Sequence, residues 1–248
     1  MKNYNLFNQS LGIIGGGQLG KMICIEAARL GYKVYIFTDQ ANSPASQVAN
    51  KVFISNYTNK VDLKEFSKKC DVITYEFENI PIETLHYIKR YTSIFPGTKP
   101  LELSQDRLLE KNFIDGVGIE VAEYYKIDSY KELESIINKK KGSYILKTRK
   151  FGYDGKGQIK INIKNYKNIN FNIKKNEFIL EKVIKFKKEI SIIIIRDKKG
   201  NTRCYEPSEN IHKEGILRES RFPANISKKS INKAKKIAKK IAEKLDKV

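Results

Sequence analysis

Residues 11–39 leave few folds open. Leu11-Gly-Ile-Ile-Gly15 is a short apolar strand that runs into the loop Gly15-Gly16-Gly17-Gln18-Leu19-Gly20. Beyond the glycines, Leu19, Met22, Ile23, Ala27 and Leu30 recur at helical spacing, and Gly31 is a stop signal. Lys33-Val-Tyr-Ile-Phe-Thr38 follows as a second strand ending at Asp39. Strand, glycine turn, helix and strand in this order make a β-α-β unit, so the two strands should lie parallel. The glycines fit G-x-G-x-x-G, with an acidic residue about twenty positions on. Such glycines let backbone N–H groups approach a phosphate, and the helix N-terminus favours its charge. Three readings stay open here: a dinucleotide, another phosphate-bearing ligand, or a tight turn with no ligand.

The same alternation continues. Lys51–Ser55, Asp71–Tyr75 and Ser93–Pro96 read as strands, and Leu63–Lys69 and Ile82–Lys89 as helices. Pro96, Gly97 and Pro100 punctuate the chain, which places a domain boundary near residue 100 and divides it into 1–100 and 101–248. Ser104 is expected to cap a helix reaching Asp115, with Asp106 in its first turn. A helix over Tyr130–Asn138 follows. Tyr144–Thr148 and Gly157–Ile161 then flank the glycine-rich turn Gly152-Tyr-Asp-Gly-Lys-Gly-Gln158 as a hairpin. No helix and no Lys-Ser/Thr pair follow, so this turn is not a Walker A loop. A glycine hairpin beside lysines suits a lid over a polyphosphate. Lys147 lies on the preceding strand, on the side of Ile145. Phe178–Leu180 and Ile190–Ile195 are further strands, and Glu189 comes eight residues after Glu181. A carboxylate and backbone groups on such a linker can read an adenine edge, and a second carboxylate can accept two ribose hydroxyls. Asn162–Asn176 reads as a lysine- and asparagine-rich connection. Ser227–Val248 is a helix with Ile231, Ala234, Ala238, Ile241 and Leu245 on one face and lysines opposite.

Composition narrows the function classes. The 248 residues are 40% hydrophobic and 31% charged, the profile of an ordered chain with room for two modest domains. No apolar stretch reaches the roughly 18 to 20 residues of a membrane span, and the N-terminus has no basic-then-apolar signal pattern. A cytoplasmic location is expected. Cys24, Cys70 and Cys204 lie far apart, and His86 and His212 are the only histidines. A disulfide framework, a cysteine zinc site and a multi-histidine metal site are therefore not expected. The net charge of +20 arises wholly after residue 138: residues 1–138 carry 16 basic and 17 acidic side chains, residues 139–248 carry 32 and 11. Of the basic residues 40 are Lys and 8 Arg, whereas base recognition leans on the arginine fork. An AT-rich coding sequence or a small polyanionic ligand accounts for the excess, and no nucleic-acid or membrane partner is expected.

Taken in order, these residues resemble the ATP-grasp superfamily and, within it, the PurK-type 5-(carboxyamino)imidazole ribonucleotide synthases. The matching segments are Gly12–Met22, Thr74-Tyr-Glu-Phe-Glu-Asn-Ile-Pro81, Pro96-Gly97, Asp106-Arg107 with Lys111, Lys147, Gly152–Gln158, Glu181–Ile184, Glu189, and Glu209-Asn-Ile-His-Lys-Glu-Gly-Ile-Leu-Arg218. The resemblance implies an α/β fold: a Rossmann-like pre-ATP-grasp parallel sheet, then an α+β ATP-grasp domain. It implies a carbon–nitrogen ligase acting on ATP, bicarbonate and 5-aminoimidazole ribonucleotide, with carboxyphosphate as the activated intermediate and Mg2+ beside the ATP. Such chemistry needs charge neutralised around the transferring phosphoryl group more than it needs a side-chain nucleophile.

The resemblance carries over position by position. Arg107 and Lys147 match contacts to the ATP phosphates, and Gly152, Tyr153, Asp154, Gly155, Lys156, Gly157 and Gln158 match the lid. Glu181, Lys182, Val183 and Ile184 match the adenine linker, Glu189 the ribose acceptor, and His212 a further nucleotide contact. Gly17 and Gln18 would cradle the ribonucleotide phosphate, Glu76 would meet its polar groups, and Tyr153, Lys156 and Arg218 would face the same substrate. Lys147, Tyr153 and Lys156 are the expected catalytic side chains.

The family pattern runs on past residue 248, where it carries two acidic magnesium ligands and a small further domain. The expectation is a C-terminally truncated enzyme with impaired chemistry. Glu120 stands where relatives often have proline. Other readings remain: an NAD-binding protein, and a catalytically silent ATP- or ribonucleotide-binding module. A homodimer is one assembly the resemblance allows.

Overall fold

Two compact units, Met1–Glu102 and Leu103–Val248, make up the chain. The structure, a computed structural model, describes residues 9–152, 156–168 and 172–245.

The first unit is built on a parallel sheet of five strands: β1 (Ser10–Ile14), β2 (Lys33–Thr38), β3 (Lys51–Ile54), β4 (Val72–Tyr75) and β5 (Ser93–Ile94), in the order β3-β2-β1-β4-β5. Side chains alternate across the sheet. Ile13 and Ile36, paired in register, face α1 (Gln18–Arg29) and pack with Cys24 and Ala27. Ile14, Phe37 and Ile73 face the other way, onto Leu63 and Phe66 of α2 (Lys60–Lys69) and Leu85 and Ile88 of α3 (Ile82–Ile88). Helices on both faces are what a parallel sheet requires, because both faces of its strands are apolar. Asn59 starts α2 by accepting the N–H groups of Val61 and Asp62.

The α1 spacing predicts the helix but not its buried face. Gly20, Cys24 and Ala27 are buried, whereas Leu19, Met22 and Leu30 are more than half exposed. The reason is close approach. A Cβ on Gly20 would lie 3.2 Å from the carbonyl oxygen of Gly15, so the helix meets the sheet through its small residues and its large ones flank the contact.

A short helix, α4 (Thr98–Ser104), connects the units. Here the expected cap is corrected. Ser104 is the last residue of α4, and α5 (Arg107–Gly116) is capped by Asp106, which accepts from Leu108 and Leu109. An aspartate one residue before the helix outcompetes a serine three before it, because only the aspartate reaches the free N–H groups.

The second unit holds an antiparallel sheet in the order β6-β9-β7-β8, from β6 (Tyr124–Ile127), β7 (Tyr144–Thr148), β8 (Gln158–Ile161) and β9 (Phe178–Lys182). One face carries Tyr144, Leu146, Phe178 and Leu180 and packs on Leu133 and Ile137 of α6 (Tyr130–Lys140). The expected single strand over Ile190–Ile195 is corrected to two: β10 (Glu189–Ser191) and β11 (Ile194–Arg196). They pair with different partners, β13 (Ser208–Lys213) and β12 (Thr202–Cys204), so the chain breaks between them. β13 continues into β14 (Ile216–Arg221) through Glu214 and Gly215, both at positive φ as a tight hairpin requires. The final helix, α7 (Lys228–Leu245), buries Ala238, half-buries Ile231, Ala234, Ile241 and Leu245, and turns most of its lysines outward.

Candidate functional site

The glycine loop of the first unit is closed from the side by an acid. β4 lies beside β1, so the chain leaving β4 passes the loop, and the Glu76 N–H donates to the carbonyl of Ile14 at 3.1 Å. The Glu76 carboxylate then accepts the Gly17 N–H at 2.8 Å. It supplies the cap that α1 lacks from its own Gly17 and sits at the favourable positive end of the helix. Gly15 is at φ +105°, and a Cβ there would fall 2.5 Å from Glu76 Oε1. Only glycine satisfies both the backbone angle and the close carboxylate. Gly16 packs against Ser43 and Thr38, and the buried Ser43 hydroxyl has no hydrogen-bond partner among the described residues. Gln18 opens α1 and is exposed, as is Asp39 at the end of β2. The loop therefore presents an acid where a dinucleotide would place its pyrophosphate, and like charges there repel.

In the second unit, strand register gathers the predicted nucleotide residues. Lys147 on β7 and Glu181 on β9 project from the sheet face opposite α6, with Gln158 of β8 directly across from Lys147. The Lys147 ammonium donates to Glu181 Oε2 at 2.9 Å. A second cation reaches the same oxygen from α5: Lys111 Nζ lies 3.6 Å away. Glu181 is only 8% exposed, and these two lysines are the cations set against it.

The helix that brings Lys111 is fastened to the root of the glycine turn. Arg149 holds Asp106 through two hydrogen bonds, at 3.0 and 2.7 Å. Burial pushes the Asp106 carboxyl up, but the Arg149 guanidinium and the N–H groups of Leu108 and Leu109 outweigh it and hold it below the usual carboxylate range. Next to it, the Arg107 guanidinium donates to the carbonyls of Thr148 at 2.7 Å and Gly152 at 2.6 Å. Gly157 is at φ +70° against the Thr148 hydroxyl. Lys156 is exposed. Tyr153, Asp154 and Gly155 lie outside the described residues.

Along the predicted linker, Lys182 pairs with Glu123 at 3.2 Å. The Val183 N–H donates to Ser143 at 2.9 Å, and Ile184 is exposed. Glu189 on β10 and His212 on β13 face each other, with Nδ1 3.3 Å from the carboxylate. Arg218 on β14 is exposed. Thus Lys147, Gln158 and Glu181 form one group and Glu189 and His212 another, joined in sequence by residues 182–188. Ion-pair partners that sequence reasoning missed are Arg149, which sits 43 residues from Asp106, and the placement of Lys111 at Glu181; no spacing rule pairs residues so far apart. Among the described residues no three His, Cys, Asp or Glu side chains converge as a metal site, so these residues do not by themselves fit Mg2+. No helix among them is long and apolar enough to cross a membrane.

Comparison with known proteins matches both units. The ATP-grasp domain family matches residues 112–248, and the ribonucleotide synthetase preATP-grasp domain family matches residues 8–105. The N5-carboxyaminoimidazole ribonucleotide synthase of Brucella melitensis is 40% identical over 240 residues, or 96% of this chain and 66% of that protein. A crystal structure of an N5-carboxyaminoimidazole ribonucleotide synthetase in complex with ADP superposes with a TM-score of 0.92 at 36% identity, across 99% of this chain and 66% of the other. The Staphylococcus aureus synthetase complexed with ADP gives a TM-score of 0.89 at 34% identity, across 97% and 65%. The chain spans just under two thirds of the length of these relatives. With a parallel preATP-grasp sheet followed by an ATP-grasp domain, and with this likeness along nearly its whole length, the chain belongs to the ATP-grasp family, in the branch of the N5-carboxyaminoimidazole ribonucleotide synthases.

Proposed function

We propose that this chain serves the ATP-dependent carboxylation of 5-aminoimidazole ribonucleotide by bicarbonate, giving the N-carboxylated ribonucleotide, ADP and phosphate. The observation that carries the reading is the Lys147–Glu181 pair at 2.9 Å on the sheet beside the glycine turn. It sets a cation next to a linker strand, in a chain whose relatives are described as ADP complexes. Residues 101–248 are proposed as the nucleotide domain and residues 1–100 as the ribonucleotide domain.

In this reading Arg107 and Lys147 neutralise the ATP phosphates, and Gly152–Gln158 close over them. The segment from Glu181 to Ile184 meets the adenine through its backbone, because the Glu181 side chain is turned to the lysines. Glu189 accepts the ribose hydroxyls, with His212 beside it. Lys147, Tyr153 and Lys156 are proposed to stabilise charge on the transferring phosphoryl group, which in such transfers is the main task of the protein. Gly17, Gln18 and Glu76 form the ribonucleotide subsite. The Glu76 carboxylate favours hydrogen-bond donors, the amine and hydroxyls, and a phosphate at Gly17 would have to displace it. Mg2+ enters this proposal only as the companion of ATP, and no step is assigned to it, since no three His, Cys, Asp or Glu side chains converge among the described residues. Bicarbonate as co-substrate, a cytoplasmic setting and a homodimer belong to the same proposal. Three free thiols accord with a reducing compartment, and the exposed apolar residues of α1 accord with an assembled state.

The test is ADP release from magnesium-ATP with and without 5-aminoimidazole ribonucleotide and bicarbonate, alongside calorimetric binding of ADP and of the ribonucleotide. Substrate-dependent release, or binding of both ligands, supports the reading. A folded chain that binds neither overturns it.

A further inference from the structure

Resting on the ATP reading above, the geometry points to Lys111 as a positioning residue that keeps Glu181 neutralised so that Lys147 can leave it for the phosphates of the nucleotide.

Lys147 Nζ and Lys111 Nζ address the same atom, Glu181 Oε2, at 2.9 and 3.6 Å. Lys147 makes the hydrogen bond and Lys111 stands just outside hydrogen-bond length. A polyphosphate can recruit Lys147 only by taking it from this carboxylate. Glu181 is buried on the strand between β6 and β7, and a buried carboxylate stripped of its cation is strongly disfavoured. Were Lys147 its sole partner, nucleotide binding would carry that whole cost.

Lys111 is placed to remove the cost. It comes from α5, not from the sheet, so it need not move when the strand lysine does. Its side chain is 17% exposed, and its ammonium lies over the Tyr124 ring, 5.7 Å from the centroid. Tyr124 in turn donates to Asn112, the next residue of α5, at 2.8 Å. Tyr124 is the register partner of Glu181 on β6, so the aromatic ring, the helix and the carboxylate are held as one set. With Lys111 in place two cations address the one carboxylate of Glu181; without it Lys147 is bound to Glu181 with no competitor.

The experiment is a double-mutant cycle read by ADP and adenosine affinity. Lys111→Met is expected to weaken ADP binding about tenfold, the size usual for coupled neighbours, and to leave adenosine binding unchanged. Lys111→Arg should restore most of the loss and guards against misfolding of the methionine variant. In a Glu181→Gln background, where no buried charge needs a cation, Lys111→Met should cost nothing. Three results overturn the inference: an equal ADP loss in both backgrounds, which makes Lys111 a direct phosphate ligand; an equal loss of ADP and adenosine, which makes it a packing residue; or no loss at all. If the unaltered chain binds adenosine but not ADP, or neither, the ATP reading falls and this inference with it.

Discussion

Replacing Asp106 by alanine should destabilise the second unit by about 4 kcal/mol. The side chain is 3% exposed and has two tasks. It caps α5 through the N–H groups of Leu108 and Leu109, and loss of such a cap costs about 1 kcal/mol. Both of its oxygens also accept from one edge of the Arg149 guanidinium, Nε to Oδ1 and Nη2 to Oδ2, and that side chain is only 12% exposed. Removing one partner of a buried ion pair costs about 3 kcal/mol or more, because the other charge is left unpaired. For a unit of this size the sum lowers Tm by roughly 8 to 16 °C. Asp106→Asn keeps an oxygen for the cap and loses the charge, so it should cost about half as much. Acid separates the two effects. The Asp106 carboxyl is held below its ordinary range, so its ionic stabilisation is complete above about pH 4 and is lost as pH falls through the folded-state value. The gap between wild type and Asp106→Asn should therefore close in acid. Urea unfolding followed by circular dichroism measures the loss, and hydrogen exchange should locate it in α5 and the end of β7. A loss under about 1 kcal/mol for the alanine variant, or a gap to asparagine that persists at low pH, would refute the ion-pair argument.

Three further outcomes are expected. Lys147→Ala should weaken ADP binding at least about tenfold and leave ribonucleotide binding intact, since its partner Glu181 lies in the second unit; equal loss of both ligands in calorimetry would contradict separate subsites. Glu76→Gln keeps an acceptor for the Gly17 N–H but removes the charge, so ribonucleotide affinity should fall roughly tenfold with ADP affinity unchanged; a gain in affinity would show that a phosphate competes for that N–H. Thiol labelling of the native chain should modify Cys204 quickly and the other two only on unfolding: burial pushes the Cys24 and Cys70 thiols up to about 11 and about 12, and Cys204 is half-buried. Fast labelling of all three would mean the first unit's core is open.

Local rules carried much of the architecture. Strand-glycine-helix-strand in residues 11–38 dictates a parallel pair, because the helix must cross over the sheet before the next strand begins. Alternation along 144–148 put Lys147 on the side of Ile145, and in the fold that side is turned from α6. Helical spacing in 228–245 selected the residues that α7 half-buries. These are properties of a few neighbouring residues, so the chain itself determines them. The resemblance of the motifs supplied the family and the order of the site residues.

What the sequence could not hold is decided by pairing across the fold. Which face of α1 is buried depends on how closely its glycine approaches the sheet. Whether Ile190–Ile195 is one strand or two depends on which partners stand beside it. That Glu76 fills the anion-binding end of α1 follows from β4 lying next to β1. That Lys111 and Lys147 meet on one oxygen of Glu181 requires a helix, two strands and a register to agree. The contacts of Glu76 with Gly17 and of the two lysines with Glu181 join residues dozens of positions apart. Their energies depend on burial and distance, and both exist only once the chain has folded.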